Sequence, residues 1–318
     1  MENHRDVVVI GAGAAGLSAA LVLTRARANV LVVEDGTPRN AQAAHMHGFV
    51  SRDGVDPAEF LEIGRREVVG YGAEFVHARV VDARSHADGG FVVTLDSGVM
   101  MTTRAVLDAT GLTDELPDIA GVRELWGSAV HHCPHCHGHE VADRNLVVIG
   151  GQAPAMTLHQ AALLRRYSDR VTLCPHDMDI QENERGRLEA FGVRIKDGTV
   201  ARLRGDQGRL IGIELVDGTM VECEAAFIAP QPRPNDAILH ALGCATVPDT
   251  GWVAVEGPGA TSVPGVWACG NVVNPRAQVI TAAGEASAAA IAITSWLLET
   301  DIEAAVERAD TSTPRGRS

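Results

Sequence analysis

The first thirty-five residues constrain this chain more than any other stretch. An apolar run from Arg5 to Ile10 leads directly into Gly11-Ala12-Gly13-Ala14-Ala15-Gly16. An apolar-periodic segment, predicted helical to about Arg27, comes next, and then a second strand-like run from Asn29 to Val33 that closes on Glu34. The order is strand, Gly-x-Gly-x-x-Gly, helix, strand, acid. The first glycine allows the tight turn, and the second lets backbone N–H groups approach a pyrophosphate. The third allows close helix–strand packing, while the terminal acid takes a ribose hydroxyl. In that context the motif predicts nucleotide binding rather than a structural turn.

A second unit of the same type follows a hundred residues later. Asn145–Ile149 reads as a strand, Gly150-Gly151-Gln152-Ala153-Pro154-Ala155 as the turn, Met156–Arg166 as a helix and Arg170–Cys174 as the next strand. Just ahead of it stands His131-His132-Cys133-Pro134-His135-Cys136-His137-Gly138-His139. Two cysteines three apart can close a small disulfide ring or bind a metal. Imidazoles beside them can take up and return protons near neutral pH. A zinc site would need four ligands, usually drawn from two such clusters; no second Cys-x-x-Cys or His-x-x-x-His follows, so redox chemistry is the preferred reading and no metal is expected.

Between and after these units the chain reads as alternating elements. Asp56-Pro57 starts a helix to about Tyr71, and strands are predicted at Ala73–Val81, Phe91–Leu95 and Arg104–Ala109, the last ending in Ala109-Thr110-Gly111. A helix near Gln181–Phe191 precedes strands that turn at Asp206-Gln207-Gly208 and Asp217-Gly218 and end at Phe227–Ala229. The Pro-rich Pro230–Pro234 reads as a boundary loop, and the polar tail from about Glu303 to Ser318 is expected to be disordered. His45 and His47, taken alone, read as ordinary polar residues. Cys174, Cys223, Cys244 and Cys269 sit singly in apolar segments and read as buried core thiols. A chain of 318 residues can bury two cores. Its net charge of −14 argues against nucleic acid, which needs a basic face. With no signal-peptide pattern and no uncharged apolar run of spanning length, a cytoplasmic protein without membrane contact is expected.

With these pieces in order, the chain resembles the low-molecular-weight thioredoxin reductase family over nearly its full length. The matching residues are Gly11-x-Gly13-x-x-Gly16, Ala109-Thr110-Gly111, Cys133-x-x-Cys136 ahead of a second Gly-rich turn, and Thr261–Asn271 followed by Arg276-Ala277-Gln278-Val279. The resemblance implies an α/β fold of two Rossmann-like dinucleotide-binding domains, the second inserted in the first. The expected boundaries are 1–114 with 236–318 for the FAD-binding domain, and 115–235 for the inserted domain that carries the redox disulfide. It implies FAD held by Gly11, Gly13, Ala14, Ala15, Gly16, Glu34, Asp35, Arg39, Asn40, Val81, Ala109, Thr110, Gly111, Gly270, Asn271, Ala277, Gln278 and Val279, in a homodimer. Asn271 stands where relatives typically have Asp.

Departures from that pattern redirect the functional expectation. NADPH-using relatives carry a third glycine where this chain has Gln152, and Pro154 removes an N–H donor at the helix start. After the strand comes Cys174-Pro175-His176-Asp177, with no arginine for a 2′-phosphate. His137 replaces the usual Asp after the second cysteine. These changes resemble the thioredoxin reductase-like dithiol oxidases of natural-product biosynthesis and self-resistance, which close disulfides in small molecules (the gliotoxin, holomycin and depsipeptide types), several of them passing electrons to O2. By that resemblance Cys133 meets the dithiol substrate, Cys136 lies toward the flavin, O2 becomes H2O2, and His137 is the first choice of base. His132 and His135 are weaker candidates. A disulfide reductase with a nonstandard electron donor and a thiol-sensing flavoprotein are the competing readings.

Overall fold

The computed structural model describes residues 4–206 and 209–312. The chain opens with β1 (His4–Ile10), α1 (Ala14–Arg25) and β2 (Val30–Glu34). After a long loop come α2 (Pro57–Gly70), β3 (Glu74–His77), β4 (Val80–Ser85), β5 (Phe91–Leu95) and β6 (Met100–Asp108). Strands β1 and β2 are buried along nearly their whole length, and their Val-, Leu- and Ile-rich runs suit a parallel sheet covered on both faces. Strands β4 and β5 form an antiparallel hairpin on the edge of that sheet.

The inserted segment runs through β7 (Leu112–Glu115), α3 (Val122–Leu125), β8 (Val130–His131), α4 (Pro134–His137), β9 (Leu146–Ile149), α5 (Pro154–Leu164), β10 (Val171–Cys174), α6 (Glu182–Ala190) and β11 (Arg194–Ile195). It continues through β12 (Val200–Asp206), β13 (Arg209–Leu215), β14 (Met220–Glu222), β15 (Ala225–Ile228) and β16 (Gln231–Pro234). Its main sheet has the order β11-β10-β9-β15-β8, parallel throughout, and β12, β13 and β14 make a separate antiparallel sheet. The chain then returns through α7 (Ala237–Ala241) and β17 (Val266–Ala268) to α8 (Val279–Ser312). Strand β17 joins the first sheet beside β6, completing β3-β2-β1-β6-β5-β4 with a seventh strand.

Contacts divide the chain into two compact units, 1–38 with 58–112 and 234–318, and 39–57 with 113–233. The loop 39–57 groups with the inserted segment. Two expectations need correction. The segment read as a Pro-rich boundary loop forms β16, which pairs with β7 in a two-stranded ribbon, the edge setting in which proline is tolerated. The tail read as disordered from Glu303 is helical to Ser312, because Glu303-Ala304-Ala305-Val306-Glu307-Arg308-Ala309 consists mostly of strong helix formers. Residues 313–318, and Gln207 and Gly208 of the expected turn, lie outside the described residues.

In the first unit α1 and α8 meet through small residues. Ala15, Ala19 and Ala20 share one buried cluster with Ala282, Ala286, Ala289 and Ala290. Over Val279–Asp310, α8 is long and apolar enough to cross a membrane, yet these residues of it are used in the core. The four single cysteines are all buried, as read from sequence.

Candidate active site

The first glycine turn has the geometry its spacing implies. Gly11 takes a left-handed φ of +100°, and a Cβ there would lie 2.5 Å from the Ala109 carbonyl oxygen. At Gly16 a Cβ would lie 1.8 Å from the Gly11 oxygen, so this glycine alone lets α1 seat against the turn. Gly13, by contrast, faces open space, with nothing within 4 Å of where a Cβ would be. It is also the N-cap of α1, with no side-chain cap and no acid in the first turn, so the first N–H groups of the helix are left for an anion. The C-terminal motif reaches the same place: a Cβ on Gly270 would stand 2.9 Å from that of Ala15.

The other residues expected at this site divide. Ala14 and Ala15 begin α1, and Ala109, Thr110 and Gly111 follow β6. The side-chain amide of Asn271 donates to the carbonyls of Asn274 (2.9 Å) and Ala277 (3.0 Å), shaping the turn that delivers Gln278 and Val279 to α8. Glu34 ends β2 but its carboxylate is paired with Arg65, and Asp35 accepts from Thr37 Oγ1 at 2.7 Å. Val81 lies on β4 with an exposed side chain. Arg39 and Asn40 belong to the second unit, where the Arg39 guanidinium grips Asp114 through two bonds of 2.7 and 2.8 Å.

Sequence reading missed Asp108, the last residue of β6. It is fully buried; one carboxylate oxygen accepts the Thr110 N–H (3.0 Å) and hydroxyl (2.6 Å), while the other has no partner. Burial is the main cause that raises its pKa to about 6, opposed by the Thr110 bonds. An acid directly after the apolar run Ala105-Val106-Leu107 was the available signal.

In the second unit Cys133 and Cys136 are joined as a disulfide. Cys133 is the N-cap of the one-turn helix α4, whose N1 residue is Pro134, preset to a helical φ. The His137 N–H closes the turn on the Cys133 carbonyl at 3.1 Å. Gln160, buried on α5, donates to the His132 carbonyl (2.6 Å) and to that of Ile228 (3.0 Å), fixing the backbone that leads into the first cysteine. The histidines are not alike. His131 is buried between the His137 ring, stacked at 4.4 Å, and Phe227 at 5.5 Å. His132 stands 5.8 Å from Trp126. His135 and His139 are exposed. Desolvation lowers the pKa of His131 to about 3, and lowers those of His132 and His137 as well. For His137 the nearby Glu140 partly opposes that shift. All three rings are therefore neutral at pH 7, the form in which an imidazole can accept a proton.

The second glycine turn seats its first glycine against a carbonyl as the first turn does, and differs from it beyond that point. The Pro175 carbonyl lies against it, 1.9 Å from where a Gly150 Cβ would be. At the end of β10, where a dinucleotide ribose is usually met, His176 adopts a left-handed φ of 57°. Its Nδ1 accepts the Val200 N–H at 3.0 Å, and its Nε2 lies 3.2 Å from the exposed Asp177 carboxylate. Helix α5 begins with Pro154 at N1.

Comparison with known proteins places this arrangement. The sequence profile of the pyridine nucleotide-disulphide oxidoreductases matches residues 5–288. The chain belongs to that family. Within it the chain is similar to the thioredoxin reductase tcpT of Claviceps purpurea, at 32% identity over 287 residues, 85% of this chain and 87% of that one. It is similar also to the thioredoxin reductase of Listeria monocytogenes, at 29% identity over 89% of this chain and 91% of that one. Among solved structures, HlmI superposes with a TM-score of 0.94 at 49% identity, covering 98% of both chains. The protein is thus a thioredoxin reductase-like oxidoreductase of the pyridine nucleotide-disulphide family. Members of this family are FAD-binding flavoproteins. The first turn fits such a group, since Gly13 opens on free space at an uncapped helix start while Gly11 and Gly16 admit no side chain.

Proposed function

We propose that this oxidoreductase oxidises a small-molecule dithiol to an intramolecular disulfide, with the Cys133–Cys136 disulfide as first acceptor and O2 as final one. FAD would be held by Gly11, Gly13, Gly16 and the start of α1, with Ala109–Gly111, Gly270 and Asn271 completing its surroundings, and would supply the two-electron acceptor between the disulfide and O2. The observation that carries the direction of electron flow is the second glycine turn. Gln152 in place of a glycine, Pro154 at the first position of α5, the His176 ring committed to Val200, and the Asp177 carboxylate support a site without NADPH.

The thiol chemistry follows from the residues of the second unit. One substrate thiol loses its proton to His137, and the thiolate attacks Cys133 while Cys136 leaves as thiolate. The second substrate thiol then ionises and displaces Cys133, so the product departs with a closed disulfide. A free thiol of pKa about 8.5 is only a few per cent ionised at pH 7, which is why a neutral imidazole beside the disulfide matters. A cytoplasmic homodimer active in antibiotic biosynthesis and self-resistance completes the proposal. The test is an oxygen electrode. A small dithiol should consume one O2 per disulfide formed and yield H2O2, while oxidised thioredoxin should cause no loss of NADPH absorbance; NADPH loss with thioredoxin and no O2 uptake with the dithiol would overturn the proposal.

A further inference from the structure

Thiol oxidation by this route sheds protons: a substrate dithiol and the Cys133–Cys136 disulfide become a product disulfide, two enzyme thiolates and two protons. His137 can collect them but is only partly exposed, so they need a way out. The loop 39–57, whose Arg39 and Asn40 the resemblance assigned to FAD and whose His47 read as an ordinary polar residue, lies in the same unit. It is ordered by its own bonds, with the Met46 N–H on the Val55 carbonyl (2.9 Å), the Gly54 N–H on the Met46 carbonyl (2.8 Å) and the Met46 side chain buried. Gly127, in the turn ahead of the cysteines, lies so close to this loop that a Cβ there would stand 2.6 Å from the Gln42 oxygen.

The loop holds His47 between two carboxylates. Its Nε2 is 3.4 Å from Glu140 and its Nδ1 is 3.4 Å from Asp53. Asp53 is itself pinned by the Gly48 N–H at 2.9 Å. His47 (21%) is the least exposed of the three, between Glu140 (37%) and Asp53 (66%). Glu140 lies three residues beyond His137, and both Glu140 and His47 are near enough to act on the charge of His137. The remaining ionisable neighbours are His45, whose ring is 6.5 Å from that of His47, and His139, which acts on Asp53. An imidazole bridging two carboxylates can accept a proton on one nitrogen and release one from the other.

We propose that His47 is a proton-relay residue, passing the protons collected at His137 by way of Glu140 to Asp53 and solvent. This rests on the dithiol-oxidase reading above. The test uses the full-length flavin-loaded protein, mixed anaerobically with dithiothreitol in weak buffer between pH 5.5 and 9. Flavin bleaching and indicator-detected proton release are followed in the wild type, His47→Asn and Glu140→Gln. Both variants should slow the two signals about tenfold near pH 6.5, less than a full general acid–base effect because His137 remains. The gap should close by pH 9, where thiols ionise unaided, and added imidazole should restore the His47→Asn rate. Rates within twofold of wild type at every pH overturn the relay, as does a slowing that persists at pH 9 and resists imidazole. Wild-type protein that dithiothreitol does not reduce removes the oxidase reading and the relay together.

Discussion

His137 stacks on His131 with ring centroids 4.4 Å apart and planes 24° from parallel. The pairing puts the ring that follows the second cysteine against a ring that burial keeps neutral. Two stacked imidazoles cannot both carry charge cheaply, so His137 adds to desolvation in holding His131 neutral.

The pH dependence of dithiol oxidation should reflect that. The lowered pKa of His137 keeps it able to accept protons below the ordinary histidine value of about 6.5. The acid limb of the rate should therefore lie below pH 6.5 in the wild type. In His137→Ala it should move toward the free-thiol pKa of about 8.5, with a loss of about 100-fold at pH 7. Stopped-flow reduction across pH checks both.

Stability should carry the mark of His131. Its folded pKa is depressed, so the native state resists a proton that the unfolded chain takes up. The stabilisation is intact above pH 6.5 and is lost as pH falls from there toward 3, at up to about 1.4 kcal/mol per pH unit. His131→Phe should flatten this acid limb in urea unfolding at pH 4–7.

Asp108 runs the other way. Its folded pKa is raised to about 6, so its contribution is present below the unfolded value and is lost as pH rises through 6. Asp108→Asn keeps an acceptor for Thr110 and needs no charge. It should stabilise the protein by about 1–3 kcal/mol at pH 8 and by little at pH 4.5. Thermal melts at the two pH values decide it.

The two glycines of the first turn should separate folding from cofactor binding. Gly16→Ala drives a Cβ into the Gly11 carbonyl and should destabilise the fold by roughly 2 kcal/mol or more. Gly13→Ala meets no protein atom and should leave urea stability within about 0.5 kcal/mol in the apoprotein while weakening FAD at least tenfold. Flavin fluorescence on release measures the second effect.

How much of this was legible in the sequence depends on the range of the interactions. The glycine turns, the cysteine pair and the strands around them are local patterns, and they stand where the spacing put them. The placement of the loop 39–57 was not readable, because Arg39 and Asp114 are 75 residues apart and His47 meets Glu140 across a longer stretch still. The end of α8 was misread by weighing polarity over helix propensity, and β16 by taking proline as a loop marker without a ribbon edge to hold it. His47, treated as a bland polar residue, gained its interest only from the two carboxylates that the fold brings to it.

The direction of electron flow is the central claim, and anaerobic mixing tests it most directly. The oxidised flavoprotein is mixed separately with dithiothreitol, NADPH and NADH while flavin absorbance is followed. Bleaching by the dithiol, absent in Cys133→Ser and Cys136→Ser, with none by either nicotinamide, is the expected result. Rapid bleaching by NADPH with none by the dithiol would contradict the account.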